Sequence, residues 1–281
     1  SVLPVLVLYA LIAVIPVLFA VYASLHEIPL TDPNWTFLGI ENYWEVIRLE
    51  RFQKSFWRGI LFMVGSTGLQ LVVGVWIALV LNQLSGRIQK VVSSIVFNGY
   101  LVPTITLTLV ALFMLDPYVG VLHQWGTEFG LWENYLFGNT ELALSAVVLI
   151  GSWKFSVFIT IFTFAQLRSI PDRFYEAAKI NGANTYQMFR DITLPRIKGA
   201  ILVAVLLRSV FMFNKFDLIW MLTQGGPGYS TTTLPVLAYR QTFLGGAYGM
   251  GNAMAVIMFL FLTVGGTLYF LIFNPSQEVE T

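Results

Sequence analysis

Cysteine is absent from the 281-residue chain, which excludes disulfides, thiolate metal sites and cysteine nucleophiles. Histidine is nearly absent: His26 and His123 are the only two, and both fall in segments that read as solvated loops. They offer no metal-ligand cluster and no nucleophile–base pair within an apolar segment, so an intramembrane hydrolase is disfavoured. Charge is scarce as well. Asp, Glu, Lys and Arg make up 11% of the residues, against roughly 25% in soluble domains. With a net charge of +1 and no basic stripe, nothing points to nucleic acid. No Gly-x-x-x-x-Gly-Lys-Ser/Thr loop occurs, so the chain carries no ATP site of that kind. Solenoid repeats, low-complexity segments and a cleavable signal pattern are also missing.

What is abundant is apolar surface. Hydrophobic side chains are 57% of the chain and the mean hydropathy is +0.73, the composition of an integral membrane protein. Apolar runs at about 2–25, 56–82, 93–115, 142–165, 200–222 and 248–273 are each long enough, at about 1.5 Å per residue, to cross a ~30 Å hydrocarbon layer. The reading is all-α, a polytopic membrane protein with six transmembrane helices in one domain spanning 1–281. Pro4 and Pro16 can bend the first span and Pro103 can kink the third. Gly65, Gly68 and Gly74 would permit close helix contact in the second. Segment 26–55 mixes charges, Asp32 among them, with interface-seeking Trp and Tyr. Segment 116–140 holds Asp116, Glu128 and Glu133 and no Lys or Arg, as suits an outer loop. The chain opens on Ser1 rather than Met, so a cytoplasmic tail ahead of it is expected.

The basic residues set the orientation. If the side bearing residues 167–199 is cytoplasmic, that side holds Arg87, Lys90, Arg168, Arg173, Lys179, Arg190, Arg196 and Lys198. The other side holds Arg48, Arg51, Lys54, Arg58 and Arg240. The positive-inside rule then places both termini in the cytoplasm.

One polar passage stands apart. Ser169 is positioned to cap a helix whose first turn holds Pro171 and Asp172, running to about Ile180. Asn181-Gly182 supplies a left-handed stop, and Asn184 with Gln187 offers a second cap for a helix that ends before Pro195. Tyr175, Ala178 and Lys179 share a face of the first helix, and Tyr186, Phe189 and Arg190 a face of the second. A short helix of this kind suits a groove on another protein.

Ionisable residues at membrane depth are functional candidates by default. Here they are Lys154 in the fourth span and Arg208, Lys215 and Asp217 in the fifth. On a continuous helix Arg208, Phe211, Met212 and Lys215 would form one stripe, able to offer donors to hydroxyl or anionic groups and an aromatic to a sugar ring. Asp217 and Asn214 would lie opposite and hold the helix against a neighbour.

Glu176-Ala177-Ala178, three residues, Gly182, nine residues, then Ile192-Thr193-Leu194-Pro195 resembles the EAA loop of ABC importer permeases at every defined position. Phe213-Asn214-Lys215-Phe216-Asp217, Leu222-Thr223-Gln224-Gly225-Gly226-Pro227, Thr231-Thr232-Thr233-Leu234 and Tyr239 are similar, in order, to the maltose-type carbohydrate branch. That branch of binding-protein-dependent transport proteins has two permease subunits, and the chain resembles the first. The resemblance implies the type I importer permease fold, a prokaryotic inner-membrane location and a chain that is not itself an enzyme. Its implied partners are a second, homologous permease in a heterodimer, two ATPase subunits holding ATP and Mg, and an external or periplasmic solute-binding protein. It implies no cofactor in this chain.

The resemblance further implies coupling to the ATPase through Glu176, Ala177, Ala178, Gly182, Leu194 and Pro195, with Glu176 pairing a basic residue there. It implies sugar contacts from Trp153, Lys154, Phe155 and Phe158 on the fourth span and Arg208, Phe211, Met212 and Lys215 on the fifth. Gly225, Gly226 and Pro227 would approach the binding protein, with Thr231 to Thr233 capping the next helix. Three cations depart from neutral-sugar relatives and make an anionic sugar, a uronate oligosaccharide or a sugar phosphate, a live expectation. The alternative is an ion- or proton-coupled secondary transporter using Asp217 and Lys154, against which the absence of an inverted repeat argues.

Overall fold

The computed structural model describes residues 3–29, 34–132 and 135–273; Ser1, Asp32 and Glu133 lie outside them. The described residues are almost entirely helical. Helix α1 (Leu3–Ser24) is followed by a two-stranded antiparallel ribbon, β1 (His26–Glu27) and β2 (Thr36–Phe37), then α2 (Glu41–Arg48) and the long α3 (Glu50–Gln83). Next come α4 (Gly86–Leu101), α5 (Thr104–Met114), α6 (Val121–Glu128) and α7 (Ala143–Ser169). The second half is α8 (Asp172–Ile180), α9 (Thr185–Phe213), α10 (Asp217–Thr223), α11 (Leu234–Tyr239) and α12 (Tyr248–Phe273). Helices α1, α3, α7 and α12 are each long and apolar enough to cross a membrane. Two bent pairs, α4 with α5 at 92° and α9 with α10 at 46°, have the length and apolarity of broken spans.

The first break has a local cause. Val102 sits in extended backbone ahead of Pro103, as a residue before proline is driven to do, so the expected kink is a full corner. Arg87 and Lys90, which read as a loop, fall in the first turns of α4.

Small residues bring α3 and α7 together. A Cβ on Gly74 would lie 2.7 Å from the Ser156 carbonyl oxygen, so the two backbones touch there, and Ser66, Ser152, Ser156 and Thr160 are buried along the seam. Such close approach drives association where lipid leaves no hydrophobic incentive. Gly68 faces nothing within 4 Å and takes no part. By contrast α1 and α12 turn Leu, Val, Ile and Phe outward, the surface a bilayer solvates.

Both histidines are buried rather than solvated. His26 is 7% exposed and its Nδ1 lies 2.8 Å from the Tyr22 carbonyl, while His123 is 8% exposed. His26 also packs against the rings of Tyr22 and Phe37, so ring stacking at the end of α1 explains its burial.

Candidate functional site

The polar passage forms two helices joined by a tight turn. Ser169 does not cap α8: its Oγ donates to the Gln166 carbonyl within α7, and Pro171, in extended backbone, is the residue that precedes α8. A hydroxyl already spent on its own helix cannot reach the next one. At the other end the sequence signals hold. Gly182 has φ +80°, Gly182 N–H donates to Lys179 and Ala183 N–H to Ala178, each at 3.0 Å. This is a complete Schellman stop. Asn184 and Gln187 then form a reciprocal capping box at 2.8 and 2.9 Å.

The second helix does not end before Pro195. It passes through a π turn at Phe189–Thr193 and continues unbroken to Phe213. Proline removes one N–H and crowds the carbonyl four residues back; the wider π turn immediately before it accommodates both defects.

Burial fixes α8 to the bundle. Phe174 and Tyr175 pack on Ala78, Leu167, Ile170 and Ile197, Tyr175 Oη lies 2.9 Å from Thr193 Oγ1, and Arg196 sits 3.9 Å over the Phe174 ring. Glu176, Ala177, Lys179 and Ile180 face outward, with Ala178 half-buried. Leu194 and Pro195 are exposed beside them. Arg190 donates to Asp191 at 2.7 Å, a bond that holds the Asp191 carboxyl below its usual range.

At mid-bundle the structure gathers Lys154, Phe155, Phe158, Arg208, Phe211 and Met212, but not as a stripe ending in Lys215. Helix α9 stops at Phe213, and Lys215 lies in the break, where its Nζ meets Asp217 at 2.9 Å. The expected opposition of these two side chains assumed a continuous helix, and the 46° bend removes it. Asn214 bonds back to Val210.

The Phe155 ring is the hub. Lys215 Nζ lies 4.5 Å, Arg208 Cζ 5.0 Å and Lys154 Nζ 5.1 Å from its centroid. Phe158 and Phe211, packed edge to face at 6.4 Å, stand 5.5 and 5.9 Å from the Arg208 guanidinium. Phe211 is 52% exposed while Arg208 is 2% exposed, so the rings cover the cation.

Gln70 on α3, which no sequence motif marks, completes the cluster. Its Oε1 accepts Arg208 Nε at 2.8 Å and its Nε2 donates to Met212 Sδ at 3.3 Å. Its signal in the sequence is an amide in the middle of the apolar run 56–82, and in the structure that amide is fully buried. Trp153 is not part of the cluster: it is 55% exposed and lines an apolar groove with Leu107, Met114 and Leu149. It lies one residue from Lys154, hence about 100° around the helix.

The magnitudes are informative. Withdrawing a guanidinium from water costs several kcal/mol after relaxation, whereas a desolvated ring contact returns about 2 kcal/mol and a charged hydrogen bond about 1.5–3 kcal/mol. Arg208 receives three ring contacts near the outer limit of that range and one good hydrogen bond, with Met212 sulfur at 3.5 Å from Nη2. No carboxylate among the described residues lies within salt-bridge distance of it. Among the described residues Lys154 likewise bonds a hydroxyl, that of Thr104 at 3.3 Å, and no carboxylate. Lys215, in contrast, is neutralised.

Beyond α10 the connection is locked by threonines. Gln224, Gly225, Gly228 and Tyr229 all have positive φ, and the Gly226–Pro227 peptide is cis. Thr232 Oγ1 donates to the Gly225 carbonyl at 2.8 Å and Thr231 Oγ1 to the Gly226 carbonyl at 2.9 Å. A Cβ on Gly225 would meet Thr232 Oγ1 at 2.5 Å. The threonines therefore do not cap α11, whose preceding Thr233 makes no side-chain bond to it; they hold the turn instead.

A helical bundle with two bent helix pairs, an exposed two-helix loop and a buried polar cluster defines the class: a membrane permease of the type I ABC importer fold. The profile of the family described as "Binding-protein-dependent transport system inner membrane component" matches residues 70–275, and the chain belongs to that family of multi-pass transport permeases. It is 33% identical over 271 residues to the trehalose/maltose transport system permease protein MalF of Thermococcus litoralis, covering 96% of this chain and 90% of that one. It is 32% identical to the sulfoquinovosyl glycerol transport system permease protein SmoG of Agrobacterium fabrum, over 91% and 83% of the two chains. Its fold matches a bacterial ABC transporter involved in the import of the acidic polysaccharide alginate, with TM-score 0.82, 21% identity and coverage of 97% and 93%.

Proposed function

We propose that the chain is the transmembrane subunit of an ATP-driven, binding-protein-dependent sugar importer. Paired with a second homologous permease, it forms half of the translocation pathway, and both termini and α8 face the cytoplasm. Substrate arrives on a solute-binding protein at the α10–α11 connection and passes to the cluster around Phe155. Two ATPase subunits, which carry the ATP and Mg, grip the exposed face of α8 through Glu176 and its neighbours. Their closure moves α8 and the continuous α9 as one body.

The observation that carries the substrate reading is Arg208, a buried guanidinium with an amide and a sulfur for hydrogen-bond partners and three phenyl rings around it. It has donors to spare for an oxyanion, and Lys154 stands across the same ring. We therefore favour a sugar bearing a carboxylate, sulfonate or phosphate, bound when Phe158 and Phe211 swing aside; the relative named for sulfoquinovosyl glycerol transport supports that choice. Of the eight residues expected to contact sugar, Trp153 and the paired Lys215 are the weakest, and Gln70 joins as the residue that orients Arg208.

ATPase activity of the reconstituted complex, with its binding protein, against neutral, phosphorylated and uronate sugars tests the reading. Stimulation by anionic sugars alone is expected. Stimulation by a neutral sugar alone would reassign the cations to structural roles, and no response to any sugar would remove the carbohydrate assignment.

A further inference from the structure

A second group of cations lies outside the cluster around Phe155. Arg51, Lys54 and Arg58 lie on one stripe of α3, spaced three and four residues apart, and with Glu50, Ser55, Gly228 and Tyr229 they line a cavity of about 210 Å³. Arg51 Cζ stands 4.7 Å from the centroid of the Tyr229 ring, and Arg240 Cζ stands 5.0 Å from the same ring.

Pairing inside the group is minimal. Glu50, the one carboxylate lining the cavity, is engaged by Lys54 at 2.5 Å. No carboxylate among the described residues comes within salt-bridge distance of Arg51, Arg58 or Arg240. A guanidinium beside a ring still carries five N–H donors in its own plane, more than a ring contact engages. The backbone also favours this placement: Tyr229 has φ +67°, a conformation uncommon for a bulky residue, and it lies in a turn pinned by Thr231 and Thr232. With α8 in the cytoplasm these arginines sit on the outer side, where basic residues are disfavoured by the positive-inside rule. Their concentration at one ring needs a reason other than topology.

We propose that Arg51, Arg58 and Arg240, arranged about Tyr229, form an oxyanion site at the outer mouth of the permease. Its ligand is a carboxylate, sulfonate or phosphate group. That group comes either from the sugar on its way to Arg208 or from an acidic side chain of the docked binding protein. The inference rests on the orientation proposed for the importer, and its test separates from the test of sugar transport.

The experiment is arginine-specific dicarbonyl labelling of the intact complex in lipid nanodiscs, read by mass spectrometry at Arg51, Arg58 and Arg240. The probes are trigalacturonate alone and the substrate-free binding protein alone. Slowing of labelling by about threefold or more, as one ligand at twice its Kd produces, is expected from at least one probe. Protection by trigalacturonate assigns the oxyanion to the sugar; protection by the binding protein only assigns it to a docked acidic side chain. Slowing of less than about threefold by both probes overturns the site. A complex whose ATPase responds to no sugar would sink the transport reading while leaving this labelling result decisive for the oxyanion site.

Discussion

Gln70 and Arg208 stand 138 residues apart in the chain, and the amide oxygen of one accepts the Nε of the other at 2.8 Å. An amide in that position orients the guanidinium without neutralising it. Gln70→Glu replaces the dipole by a charge of nearly the same shape. Uptake of the anionic substrate should fall by about tenfold or more, equivalent to ~1.4 kcal/mol of lost interaction, with the complex still assembled. Transport assays on proteoliposomes, with size-exclusion of the complex as the folding check, decide this; undiminished uptake would show that Arg208 does not need its charge.

The two cations without a carboxylate partner among the described residues should shape selectivity. Lys154→Ala and Arg208→Ala are each expected to narrow the preference for anionic over neutral sugars in the ATPase assay by about tenfold, or ~1.4 kcal/mol. Loss of stability with an unchanged preference would mark both as structural.

Packing at the α3–α7 seam gives a sharper contrast. Gly74→Ala forces a Cβ to within 2.7 Å of the Ser156 carbonyl, and overpacking of this kind costs about 1–3 kcal/mol. Gly68→Ala meets nothing within 4 Å and should hold or raise thermal stability in detergent, since alanine favours a helix interior over glycine by about 1 kcal/mol. Equal melting temperatures for the two variants would contradict the seam.

At the ATPase end, Glu176→Lys changes an exposed residue and Gly182→Asp places a side chain at φ +80°. Glu176→Lys should leave the membrane domain folded while weakening capture of the ATPase subunits. Gly182→Asp strains the left-handed stop by about 1–2 kcal/mol and should misdirect α8. Co-purification of ATPase with permease reads both, and normal yields from both variants would refute the docking role.

In the α10–α11 connection, Thr232→Val removes the donor to the Gly225 carbonyl. The Gly225 carbonyl keeps the Thr231 N–H at 3.3 Å, so the loss is that of one hydrogen bond, about 0.5–1.5 kcal/mol. Stimulation of ATPase by the liganded binding protein should drop, whereas Ser230→Ala should be mild, since its buried hydroxyl has no hydrogen-bond partner among the described residues.

The parts of this molecule legible from sequence are those whose causes are local. The Asn184–Gln187 box and the Gly182 stop involve residues within a few positions of each other, and both appear in the structure as their spacing implies. The apolar runs likewise announce helices. What escaped is non-local or depends on a break. Lys215 and Asp217 became partners because α9 ends at Phe213, and nothing in their immediate sequence distinguishes a bend from a continuous helix. Gln70 acquires its role only from a helix that arrives 138 residues later. Ser169 has the type and position of a cap, but its hydroxyl finds the Gln166 carbonyl first.

The π turn at Phe189–Thr193 has an angular meaning. An α-helix advances about 100° per residue, so the one extra residue in a π turn resets the azimuth of everything before it relative to everything after it. The direction in which Tyr186 and Arg190 point is thereby keyed to the direction in which Arg208 meets Gln70. Deleting one residue from the turn would preserve composition, helix content and the apolar run, yet turn the two ends out of phase by about a quarter of a revolution.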